Sequence, residues 1–153
     1  MQVTVKSFSE LSNTELFKIY KLRTQVFVVE QLCAYQEVDD EDLIAQHLQF
    51  TNEAQQLVAY LRIIPETNET IVHIGRVVVN PLFRKQGYGR KLITSGLETI
   101  KKDMPKVTTV KIQAQAYLRS FYQSFGFKPV SDVYLDTGIP HLDMILELQG
   151  NKK

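Results

Sequence analysis

Apolar and polar positions alternate with a period of two over residues 2–7, where Val3 and Val5 interleave with Thr4 and Lys6, and this predicts a half-buried strand. Ser12-Asn13-Thr14-Glu15 then has capping-box spacing, in which a hydroxyl and a carboxylate each satisfy a backbone donor at a helix start. Behind it Leu16, Ile19, Arg23 and Val26, with Phe17, Tyr20, Thr24 and Phe27, recur at steps of three and four. A helix with a broad packing face, ending near Gln31, is expected. From Cys33 to Ala45 the period is lost and Glu37, Asp39, Asp40, Glu41 and Asp42 crowd together, which reads as a loop. Strands at 47–51 and 56–64 flank a polar turn, and a second turn leads into a long strand at 70–79. Leu92, Ile93, Gly96, Leu97 and Ile100 restore the helical period until Asp103-Met104-Pro105 closes it. A β-branched strand at 108–114, a short helix at 118–125 ending at Gly126, and strands at 128–135, interrupted around Ser131, and at 141–148 complete the chain. This order predicts an α+β fold: one domain over 1–149, a mixed sheet with helices on both faces, and fraying at 150–153.

The segment Asn80-Pro81-Leu82-Phe83-Arg84-Lys85-Gln86-Gly87-Tyr88-Gly89-Arg90-Lys91 stands between the long strand and the next helix. Glycine lets backbone approach a ligand closely, and the first N–H groups of a helix are unpaired and backed by its dipole. Arg84, Lys85, Arg90 and Lys91 add full charges, so a polyanion is the expected occupant. A dinucleotide fingerprint needs a third glycine where Leu92 stands, and a P-loop needs Gly-Lys-Ser/Thr; neither is present.

Composition narrows the partners. Lys and Arg total 18 against 17 for Asp and Glu, so no global field favours nucleic acid or membrane binding, and local clusters must carry any electrostatic role. No apolar run is long enough to span a bilayer. Cys33, the single cysteine, excludes an internal disulfide, and the start at Met1 lacks a secretory pattern, so a cytoplasmic protein is expected.

The pattern Arg84-x-x-Gly87-x-Gly89, after a strand and into a helix, resembles the acyl-CoA-binding motif of the GNAT superfamily of N-acetyltransferases. Phe121-Tyr122-Gln123-Ser124-Phe125-Gly126-Phe127 resembles that superfamily's helix-to-strand motif. The likeness narrows to the ElaA-like branch through Arg23-Thr24-Gln25-Val26-Phe27-Val28-Val29-Glu30-Gln31, the acidic run 37–42, His47-Leu48, Ile112-Gln113-Ala114-Gln115-Ala116 and Gly138-Ile139-Pro140-His141. The resemblance implies acetyl-CoA as cosubstrate and no metal. Backbone amides of Gln86, Gly87, Tyr88, Gly89 and Arg90, beside Arg84 and Lys85, would hold the pyrophosphate. Backbone groups of Val77, Val78 and Val79, freed where two strands splay, would align the pantetheine arm. Tyr122 falls where the family protonates the departing thiolate, a task suited to a phenol that is neutral at pH 7. Gln115 stands where the family often has asparagine, with the same amide chemistry and a longer reach.

The implied acceptor is an amine, of a small molecule or a protein, and only about one lysine-like amine in a thousand is neutral at pH 7. Glu30, His47 and His141 are the candidate acceptor-side groups, set against structural roles in which Glu30 pairs with Arg23 and the histidines bond to the fold. The acidic run reads as a solvated face; it lacks the glycine and ligand spacing of a calcium loop. Cys33 has no histidine at motif spacing and reads as a buried hydrophobe. Other readings are an acyl-homoserine-lactone-synthase-like enzyme using S-adenosylmethionine and an acyl carrier, or a CoA-binding module without turnover. Edge strands allow a monomer or a homodimer paired across a two-fold axis.

Overall fold

The computed structural model describes residues 1–148, so the expected domain end at Gln149 and the fraying of 150–153 lie outside the described residues. Strand β1 (Gln2–Ser7) is followed by α1 (Asn13–Arg23), β2 (Gln46–Thr51), β3 (Leu57–Pro65), β4 (Ile71–Val79), α2 (Tyr88–Asp103), β5 (Thr109–Gln115), α3 (Arg119–Gln123), β6 (Lys128–Pro129), β7 (Tyr134–Asp136) and β8 (Ile139–Glu147). The strands form one eight-stranded mixed sheet in the order β1-β2-β3-β4-β5-β8-β6, with β7 on β8. β4 and β5 are parallel and the other neighbours antiparallel.

Each face of the sheet has its own apolar cover. Leu92, Ile93, Leu97 and Ile100 of α2 pack on Leu61, Ile63, Ile74, Ile112 and Met144, and each such side chain contributes roughly 1.5–3 kcal/mol by leaving water. On the other face Ile19, Leu22 and Val26 pack on Leu57, Tyr60 and Val78. The capping box at Ser12 and Glu15 forms as its spacing predicts.

The first helix departs from expectation twice. Phe17, placed on the packing face by periodicity, is exposed. After Arg23 the chain continues as a π-helix over Thr24–Glu30, with Gln31 N–H donating to the Val26 carbonyl and Cys33 N–H to that of Val28. The wider turn rotates the residues beyond it away from the 3.6-residue face, and Glu30 and Gln31 line the cleft described next. Among the described residues no helix is long and apolar enough to cross a membrane.

Candidate active site

β4 and β5 pair only from Ile71↔Thr109 to Ile74↔Ile112, after which they part. Beyond Ile74 the β5-facing backbone groups of β4 have no strand partner, as the expected splay requires. One cause is visible in the register with β3: Arg62 faces Gly75 and Tyr60 faces Val78, so β4 carries an extra residue, a bulge. Arg76 sits in it at φ 52°, a left-handed conformation that a long side chain adopts only when its surroundings impose it. The gap opens into a cleft of about 1310 Å³ that Val77, Val78, Val79, Arg84, Gly89, Gln115, Tyr122 and His141 all line.

At the cleft's mouth Gly87 caps α2 with φ 81°, which only glycine adopts without strain. A Cβ there would meet nothing within 4 Å, so what Gly87 provides is backbone conformation rather than space inside the protein. Among the described residues the N–H groups of Lys85, Gln86, Gly87, Tyr88, Gly89 and Arg90 have no hydrogen-bond partner, and they lie just before and in the first turn of α2. The charges expected around them are partly spent. Arg84 is held by both oxygens of Glu30 at 2.7 Å, so Glu30 pairs with Arg84 and not with Arg23. Arg90 donates to the Ser124 hydroxyl at 2.7 Å and lies over the Phe125 ring. Lys91 lies over Tyr88.

Deeper in the cleft, Tyr122 is 3% exposed with its ring edge-on to Phe121 and Phe127, and its hydroxyl makes no hydrogen bond among the described residues. Burial, with a small contribution from Tyr117, raises its pKa well above the ordinary phenol value, so it holds its proton across the physiological range. Gln115 reaches Gln31 across the cleft at 3.4 Å. His141 bonds through Nδ1 to the Ile139 carbonyl at 2.7 Å. A carbonyl only accepts, so in the neutral ring Nδ1 carries the hydrogen and Nε2 keeps its lone pair. His47, by contrast, is 0% exposed and is not at the cleft. Its Nε2 donates to the Asp42 carbonyl and its Nδ1 accepts from the Tyr60 hydroxyl, and burial lowers its pKa, so it is a neutral structural bridge.

The acidic run is not the solvated face that its composition predicts. Glu37 and Asp42 are 5% and 1% exposed. Asp42 accepts from Arg23 at 2.7 Å and Arg62 at 2.9 Å, while Glu37 accepts from Arg23, from Arg76 at 2.9 Å and from the Tyr35 hydroxyl. Asp39 bonds Arg62 at 2.7 Å and Arg76 at 3.3 Å. This cluster ties α1, the 33–39 segment and β3 to the bulged residue of β4, and so braces the cleft wall. Residues 40–43 form a short 3-10 turn within it. Arg62 and Arg76 escape motif reading, but a charged residue within the otherwise apolar run Leu57-Val58-Ala59-Tyr60-Leu61-Arg62-Ile63-Ile64 is itself a signal, since such a strand buries a cation only with partners. Cys33 is buried with its thiol on the Thr137 carbonyl. Among the described residues no group of His, Cys, Asp and Glu is placed to hold a metal.

The acetyltransferase (GNAT) domain family matches residues 10–148. A UPF0039 protein of Schizosaccharomyces pombe is 51% identical over 148 residues, spanning 97% of this chain and 98% of its own. The crystal structure of Escherichia coli ElaA superposes with a TM-score of 0.89 at 40% identity, over 96% of this chain and 100% of that one. An acyl-CoA N-acyltransferase from Pseudomonas aeruginosa superposes at 0.88, again at 40% identity, over 95% and 99%.

Proposed function

The chain belongs to the GNAT acetyltransferase family, in its ElaA (UPF0039) branch, and from that premise we propose that it transfers the acetyl group of acetyl-CoA to a primary amine by direct attack in a ternary complex. The observation that carries this reading is the slot itself, in which an unpaired strand edge leads from unpartnered N–H groups at 85–90 to a buried phenol. In this reading the amides of Gln86, Gly87, Tyr88, Gly89 and Arg90 hold the pyrophosphate, with Lys85 beside them. The β4 edge at Val77, Val78 and Val79 aligns the arm, and Gln115 flanks it.

His141 is the acceptor-side base of choice, because its Nε2 lone pair is the one that the fold leaves free. It takes the proton from the incoming ammonium, the nitrogen bonds to the acyl carbon, and the carbon–sulfur bond breaks. Tyr122 gives its proton to the departing sulfur, and the second proton of the acylated nitrogen passes through solvent to restore the Tyr122 hydroxyl, so that the one proton held by His141 is the net proton released. Holding both substrates in one cleft supplies most of the acceleration through positioning. An assay of thiol release from acetyl-CoA across a panel of primary amines tests the reading: amine-dependent release supports it, and CoA binding without release for any amine would make the protein a binding module.

Glu30 has a different part from the acceptor-side one that its sequence position suggested. Its carboxylate neutralises Arg84 and repels a polyanion at the cleft mouth, so Glu30→Gln is expected to tighten CoA binding roughly threefold, the scale of one exposed ion pair, and more at low salt. Calorimetric titration at two ionic strengths checks this, and weaker binding in the variant would show that the pair preorganises Arg84 instead.

A further inference from the structure

Arg62 of β3 and Gly75 of β4 are register partners, so they share a face of the sheet. It is the face opposite α2, which packs on Leu61 and Ile63 to either side of Arg62. Both Arg62 and Gly75 line the cleft. The terminal nitrogens of Arg62 are turned to carboxylates, Nη1 donating to Asp39 and Asp42 and Nη2 to Asp39 and Glu41. Its Nε–H has no hydrogen-bond partner among the described residues, although Arg62 is only 2% exposed. Buried donors are seldom left unpaired, so this one calls for an oxygen.

Gly75 keeps a space beside that donor. Its φ lies outside the left-handed region, so what glycine provides here is the missing side chain. A Cβ at Gly75 would have Arg62 Nε at 4.0 Å and, its chain neighbours aside, no other atom as near. The donor therefore borders an open position in the cleft wall, and a group placed there must accept a hydrogen.

Charge decides which acceptor fits. Around the space Arg23, Arg62 and Arg76 face Glu37, Asp39, Glu41 and Asp42, three positive groups against four negative ones. The guanidinium charge is already neutralised, and a ligand carboxylate would meet a net negative cluster. An uncharged oxygen takes the hydrogen bond without that repulsion, and a carbonyl needs nothing further because it only accepts.

The register also sets the distance to the reacting end. Gly75 follows the Ile74↔Ile112 pair, which brings it level with Gln113, and β5 pairs Gln113↔Asp143 and Gln115↔His141 with β8. His141 thus stands two strands across and two residues along from Gly75, on the order of 12 Å from backbone to backbone at ordinary strand spacings. The His141 ring and its bond to the reacting nitrogen span part of this, and a chain of several bonds spans the rest.

Resting on the acyl-transfer reading above, we propose that the position over Gly75 receives an uncharged carbonyl oxygen of the acceptor, which is therefore an amine joined by an alkyl spacer to an amide. The contact is remote from the reacting atoms and holds in ground and transition states alike, so it lowers KM and leaves kcat unchanged.

The probes 6-aminohexanamide, heptylamine and 6-aminohexanoate share a primary amine and differ at the far end; 4-aminobutanamide, pentylamine and 4-aminobutanoate repeat the comparison on a shorter spacer. With the full-length protein and acetyl-CoA, kcat/KM for the amide is expected to exceed that for the alkylamine roughly tenfold at one of the two lengths, as a hydrogen bond to a buried charged donor supplies. The acid should fall below the amide. Gly75→Ser brings its own hydroxyl oxygen within reach of Nε and should return the amide-to-alkylamine ratio close to one. The ratio is read within one protein sample, so partial loss of folded variant does not mimic it. Equal kcat/KM for amide and alkylamine at both lengths, a preference for the acid, or a ratio unmoved in Gly75→Ser overturns this inference and leaves acyl transfer standing. CoA binding with no thiol release from any amine overturns both.

Discussion

Asp42→Ala is expected to lower the stability of the protein by about 3–5 kcal/mol, the usual cost of removing one partner from a buried ion pair. Asp42 is the shared acceptor of Arg23 and Arg62, which are 0% and 2% exposed, so its loss leaves two guanidinium groups buried without their common counter-charge. Denaturant titration read at its midpoint checks this, and a loss below about 1 kcal/mol would show that water or rearranged carboxylates replace the bond. The pH dependence has a fixed sign. Burial alone would raise the Asp42 pKa, but hydrogen bonds and charge from Arg23, with the charge of Arg62, outweigh it and hold the carboxyl below the ordinary aspartate value. Its contribution is therefore complete above the unfolded value of about 3.9 and is lost as pH falls through the lower folded value. The variant and the parent should converge in acid.

Tyr122→Phe is expected to reduce kcat by about 100-fold or more, the range that a positioned general acid supplies, while CoA affinity stays within about twofold. The hydroxyl has no partner among the described residues and its ring is packed against Phe121 and Phe127, so removing the oxygen leaves the aromatic cluster intact. Single-turnover measurement separates the chemical step from product release. A chemical step as fast as in the parent at every pH would assign the proton to water and leave Tyr122 a packing role.

The elements were largely legible because each carries its own local signal: alternation at Val3 and Val5, the cap at Ser12, the glycine pair at the start of α2. One wall of the cleft was legible for the same reason, since Tyr122 and Val77 to Val79, which line it, and Gly87 at its mouth sit in short contiguous motifs. What could not be read are relations between distant segments. Nothing local to residues 37–42 says that Arg23, Arg62 and Arg76 will arrive beside them, and an acidic run without those partners would indeed stay in water. His47 and His141 look alike in sequence, yet one lies on β2 under a carbonyl and a tyrosine while the other lines the cleft. The π-helix hides for a related reason: Thr24-Gln25-Val26-Phe27-Val28-Val29-Glu30 contains no glycine or proline to mark a change of helix type, and only the bonds from Gln31 and Cys33 reveal the wider turn.

The claim beneath the whole account is that the N–H groups at 85–90 receive the pyrophosphate of coenzyme A, and calorimetric titration of wild type against Gly87→Glu tests it most directly. A Cβ at Gly87 meets nothing within 4 Å, so the variant bears only the left-handed strain of φ 81°, about 1–2 kcal/mol, and should remain folded. Saturable one-to-one heat is expected for the wild type and affinity at least tenfold weaker for the variant, whose carboxylate stands where the phosphates would lie. Absence of heat with the wild type, or equal binding by the two proteins, would contradict it.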